Sequence, residues 1–130
     1  MTETTDGPGE AGTQGIDLTE LVAGHWQLRP WPAAHADLDV VLADLGAASE
    51  VPAERAARLE GWERGDLLGF AVREITTGES VAEVLVVVTP QRYASIAVRT
   101  RPDHLGTRVD GAVEDVVRRW ATGALGLTVS

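Results

Sequence analysis

The stretch VAEVLVVVT at residues 81–89 constrains the fold more than any other part of the chain. Its apolar side chains fall on both faces, so as a strand it belongs in the middle of a sheet, covered above and below. Its neighbours supply the flanks. LLGFAVRE (67–74) alternates, with Leu68, Phe70 and Val72 on one face, and TTGE turns the chain into the central strand. PQR then turns it again into YASIAVR (93–99), giving a three-strand antiparallel meander. The cover must come from helices. Val109, Ala112, Val113, Val116, Val117, Trp120 and Ala121 recur at i, i+3, i+4, i+7, i+8, i+11 and i+12, with Glu114–Arg118 and Asp115–Arg119 pairs on the wet face. Upstream, Leu38, Val41, Leu42 and Leu45 predict a helix over 34–45, and Pro52, Ala56, Leu59 and Trp62 a second over 52–64 that ends near Gly65. HWQLRPW (25–31) alternates Trp26 and Leu28 with polar residues and stops at Pro30 and Pro32, as a short strand does. The expected order is β-α-α-β-β-β-α, an α/β fold with a mixed, mainly antiparallel sheet.

A chain of 130 residues suits one core. MTETTDGPGEAGTQG at the start holds almost nothing apolar and cannot offset its ordering entropy. Residues 1–24 are therefore expected to be a disordered acidic tail, and 25–130 the domain. The tail carries five acids and no base out of a net charge of −9, a balance that repels nucleic acid and anionic lipid and mildly favours an amine-bearing partner. There is no cysteine, so a disulfide scaffold, a thiolate zinc site and a cysteine nucleophile are excluded. No signal peptide, transmembrane run or lipidation motif is visible, and the expected location is the cytoplasm.

His25, His35 and His104 have no acid or thiol at ligand spacing, so no metal site is expected. The serines lack a nucleophile-elbow context. Glu83 is the sole acid within the central strand. Buried, it would suit deprotonation of an amine and is the one catalytic candidate; the competing reading puts it at the strand's wet end. Tyr93, the only tyrosine, sits at the wrong end of its strand for a general acid, and the four tryptophans read as packing.

The fragments LRPW (28–31), GDLLGFAVREITTGE (65–79), ASIAVRTRPDHLG (94–106) and VVRRWATGALGL (116–127), taken with the element order, resemble the GNAT superfamily of acetyl-CoA-dependent N-acetyltransferases. The nearest branch acetylates ribosomal-protein N-termini. The resemblance implies a GNAT-like domain that transfers acetyl from acetyl-CoA to an amine, on a protein N-terminus or a small molecule. It also implies that backbone groups of Ile96, Ala97, Val98 and Arg99 hold pantetheine, and that Leu105, Gly106, Thr107, Arg108 and Val109 wrap the pyrophosphate at the start of the long helix.

Two features depart from that pattern. In the family's Arg/Gln-x-x-Gly-x-Gly/Ala loop, the three key slots fall here on Leu105, Arg108 and Asp110. Asp110 would face the pyrophosphate with a like charge. TRVD (107–110) also fits a capping box, with Thr107 as N-cap and Asp110 answering it, which would fill the anion site from within. The chain also ends at LTVS, where relatives continue into further strands and a helix, so the scaffold reads as truncated with an open edge at 93–99. Two functions stay open: an acetyltransferase of weakened activity, and a catalytically inactive GNAT-like binding or assembly module that pairs with a partner chain or a second copy through that edge.

Overall fold

The computed structural model describes residues 18–105 and 107–130. Its six strands lie in the order of the sequence: β1 (Leu21–Ala23), β2 (Trp26–Pro30), β3 (Leu67–Glu74), β4 (Ser80–Val88), β5 (Tyr93–Thr100) and β6 (Thr128–Val129). Every neighbouring pair is antiparallel except β5 and β6, which run parallel. Helices α1 (His35–Leu45) and α2 (Val51–Arg64) follow β2, and α3 (Val109–Gly123) follows β5. The mixed, mainly antiparallel α/β sheet expected from the sequence is therefore present, with one more strand at each end.

The first extra strand moves a boundary. β1 pairs with β2 through Leu21–Leu28 and Ala23–Trp26, so residues 21–23 belong to the sheet and not to a tail. Three residues are too few to announce a period, and the hairpin depends on Gly24, whose φ of 60° is left-handed. The disorder expected for the start of the chain concerns residues 1–17, which lie outside those described.

Paired residues share a face, which assigns the two layers. Leu68, Phe70 and Val72 lie opposite Val86, Val84 and Ala82, and these in turn lie opposite Ile96, Val98 and Thr100. This face receives the buried stripe of α3, Val109, Val113, Val117 and Ala121. Phe70 meets Trp120 of α3 edge-on, with ring centroids 4.9 Å apart, and Trp62 of α2 at 6.3 Å. The opposite face carries Gly69, Ala71, Val81 and Glu83 under α1, α2 and Trp31. Trp31 is fully buried across β3, which needs Gly69: a Cβ there would overlap both the Trp31 ring and the Val84 carbonyl. α2 ends as expected at Gly65, which at φ 81° returns its amide to the Gly61 and Trp62 carbonyls. No helix among the described residues is long and apolar enough to cross a membrane.

Candidate functional site

The candidate site lies where β5 leaves the sheet and α3 begins. β6 pairs only with Tyr93 and Ala94, so beyond Ala94 no strand among the described residues lies beside that edge of β5. Backbone direction along β5 follows from its partners. The Tyr93 carbonyl accepts from Thr89 on the β4 side, whereas the Ala94 carbonyl accepts from Ser130 on the β6 side. Alternation then turns the N–H and C=O of Ile96, Val98 and Thr100 to the open edge and those of Ala97 and Arg99 to β4. Among the four β5 residues named from sequence, only Ile96 and Val98 therefore offer backbone groups to a ligand on that edge. Thr100, not anticipated, offers a third set.

After Thr100 the chain makes a single tight turn, Pro102–His104, and α3 starts at Val109. The N-cap is Arg108, at φ 67° in the left-handed region, and no side chain caps the helix. This overturns the expected capping box. Thr107 lies one residue too early, and its hydroxyl donates backwards to the His104 carbonyl at 2.7 Å. The first helical bond at this end runs from the Ala112 amide to the Arg108 carbonyl, so the amides of Val109, Asp110 and Gly111 have no intrahelical partner. Among the described residues no side chain fills the amino end of α3. Arg108 adopts the backbone conformation that glycine takes most cheaply, which matches its place in the glycine slot of the loop pattern. Its side chain is exposed and makes no ion pair among the described residues, as does that of Asp110 in the first turn, while Leu105 is 69% exposed. Gly106 lies outside the described residues.

Glu83 is not at a wet end. It is fully buried, and Arg58 of α2 grips both its oxygens, Nε on one and Nη2 on the other at 3.0 Å. Arg58 also donates to Glu54 at 2.9 Å and lies over the Trp31 ring, 5.7 Å from its centroid. Burial alone would lower the Arg58 pKa; the hydrogen bond and charge of Glu83, then of Glu54, outweigh it and hold the guanidinium above the usual arginine value. A carboxylate clamped in this way braces α2 on the sheet, and the oxygen that takes Arg58 Nη2 also accepts Nη1 of Arg99 on β5 at 3.5 Å. Arg58 was missed from the sequence, although its spacing from Val51 and Trp62 puts it on the helix's core face.

The other candidates do not converge. Tyr93 is 56% exposed at the far end of β5 from α3's first turn. His104 lies 3.3 Å from Glu79, and no group of three or more His, Asp or Glu among the described residues could hold a metal. A hollow of about 410 Å³ opens at that far end between Arg64, Asp66, Thr89 and Arg92. Its two arginines are engaged, Arg64 with Asp66 at 3.1 Å and Arg92 with the Leu125 carbonyl.

No protein-family profile and no curated protein matches the chain. Solved structures do. One described as a ribosomal-protein-serine acetyltransferase from Vibrio cholerae superposes with a TM-score of 0.68 at 17% identity, over 85% of this chain and 71% of that one. A GNAT-family acetyltransferase from Bacillus anthracis gives 0.60 at 13%, over 84% and 69%. Mycobacterium smegmatis RimJ, in complex with a CoA disulfide, gives 0.61 at 19%, over 83% and 62%. At these identities the likeness is one of fold. The strand order, the meander ahead of α3 and these superpositions together give the chain the fold of the GNAT acetyltransferases.

Proposed function

We propose that the chain is an acetyl-CoA-dependent N-acetyltransferase, related to the branch that acts on protein N-termini. The observation that carries the reading is the edge of β5 leading into the amino end of α3: a strip of backbone groups and then a cluster of amides, neither with a partner among the described residues. Pantetheine is a chain of amides, and the backbone of Ile96 and Val98 is free to pair with it as a strand would. The amides of Val109, Asp110 and Gly111, at the positive end of a 15-residue helix, favour a pyrophosphate. Arg108 adds a guanidinium beside them and Asp110 a charge that opposes them. The residues present thus fit the coenzyme, with Asp110 as the one unfavourable group.

The coenzyme supplies an activated acyl group: the acceptor nitrogen forms its bond to the acyl carbon as the C–S bond breaks, losing one proton while the departing thiolate gains one. The chain's part is positional. β5 orients the acyl unit, α3 holds the phosphates, and with Glu83 locked by Arg58 the amine's proton passes to solvent. Calorimetry with acetyl-CoA tests this. Micromolar binding, weakened when Arg108 becomes alanine, and acyl transfer seen as free-thiol release support it; no heat at millimolar ligand removes it.

The same open edge supports a second reading, a catalytically inactive module that pairs β5 with another chain or a second copy. Light scattering at high concentration tests the second copy: a dimer dispersed by acetyl-CoA supports one edge serving both ligands, and a strict monomer removes pairing with a second copy.

A further inference from the structure

Glu54, Arg58, Glu83 and Arg99 form a row of alternating charges that runs from α2 into the sheet and out again at β5. Arg99 ends the row and is its loosest member. Glu83 has given both oxygens to Arg58, and Arg99 reaches it through one Nη1 at 3.5 Å, with 39% of its side chain exposed. It makes no other hydrogen bond among the described residues, which leaves four of its five N–H donors open. The surroundings are open too. Tyr93, Ser95, Ala97 and Arg99 share the face that bears α1 and α2, yet Tyr93, Ser95 and Ala97 are exposed, because the two helices stop short of β5. Arg99 therefore stands next to the small side chains of Ala97 and Ser95, one residue beyond Val98 and its backbone groups on the edge.

We propose that Arg99 binds the acceptor in the acyl-transfer site, and that the acceptor is a primary amine bearing a carboxylate, not a polyamine. The inference rests on the acyl-transfer reading above and names the substrate class for the same site. A guanidinium with open donors takes a carboxylate in two parallel hydrogen bonds. A carboxylate seated there sets an amine two or three bonds away beside the Val98 edge, where the acyl unit lies. The cation also disfavours the ammonium form of that amine, so it helps produce the neutral nucleophile. It repels a diamine or polyamine for the same reason. The chain's net charge of −9 would draw such cations in, so the local sign decides against the overall one.

The test uses the full chain, acetyl-CoA and thiol release, with three sets of acceptors: free amino acids, the corresponding amino-acid amides, and putrescine with spermidine. The amino acids are expected to react with a kcat/KM at least about tenfold above their amides, and the polyamines slowest, since one charged pair carries about that factor. Arg99→Gln should erase the tenfold preference through KM, and Arg99→Lys should restore part of it, with acetyl-CoA affinity and thermal unfolding unchanged in both. A peptide beginning with aspartate tells an N-terminal source from a free amino acid, and preference for either over its amide supports the proposal. Polyamines or amides preferred by the parent protein, an acid preference that survives Arg99→Gln, or coenzyme binding with no turnover of any acceptor would each overturn it. Failure of acetyl-CoA to bind would instead remove the acyl-transfer reading first, and the acceptor assignment with it.

Discussion

Replacing Glu83 with glutamine should destabilise the protein by about 3 kcal/mol. Glu83 is fully buried and Arg58 is 6% exposed, so the carboxylate is what keeps a guanidinium inside the fold. Breaking a buried pair by neutralising one partner costs about 3–5 kcal/mol, because the other charge stays desolvated. Two features place the value at the low end. Glutamine keeps the volume and one acceptor oxygen, and Arg58 retains Glu54, whose side chain is 43% exposed and screened. Against a total stability of about 5–15 kcal/mol this is a large fraction, equivalent to about 10 °C in Tm. Urea unfolding of Glu83→Gln, together with the cycle Arg58→Met, Glu83→Leu and the pair Arg58→Met/Glu83→Leu, gives the decisive comparison. The pair should recover most of the loss, since packed apolar side chains of similar volume are often as good as a buried ion pair. A coupling of at least about 2 kcal/mol is expected between the sites. A loss below about 1 kcal/mol in Glu83→Gln, or a pair variant no better than the single, would show that the two charges are not held against each other as described.

Three further outcomes follow from single residues. Gly69→Ala should cost about 3 kcal/mol or more by urea unfolding, because the added methyl meets a ring and a backbone carbonyl that cannot move aside; a smaller loss would mean that Trp31 does not lie across β3. Arg108→Gly relieves a left-handed backbone worth about 1 kcal/mol and gives up about 0.5–1 kcal/mol to the unfolded chain, so stability should stay level or rise slightly, and a fall beyond about 1 kcal/mol would contradict the geometry of the cap. Asp110→Asn removes the opposing charge and should tighten acetyl-CoA binding about tenfold at low ionic strength, with the gain fading in high salt; an unchanged affinity would mean that the phosphates do not sit over α3's first turn.

Much of the architecture was legible in advance because periodicity reports burial directly. The double-sided apolar run at 81–89 required a central strand, and the spacing from Val109 to Ala121 required a helix lying on it. The sequence also carried the likeness to the GNAT fold, since that likeness is a matter of element order and a few short fragments. Tertiary structure decided the electrostatics and the edges. Whether Glu83 faced water depended on Arg58, 25 positions earlier on another element, and no local pattern encodes that meeting. Whether Thr107 capped α3 depended on the backbone turn that made Arg108 the cap, a difference of one residue that a motif spacing cannot resolve. β1 and β6 are too short to show a period, and they exist because the neighbouring strand offers free hydrogen-bonding groups. Local chemistry thus selected the elements, while the pairing of distant charges and the edge left open on β5 were set only when those elements packed.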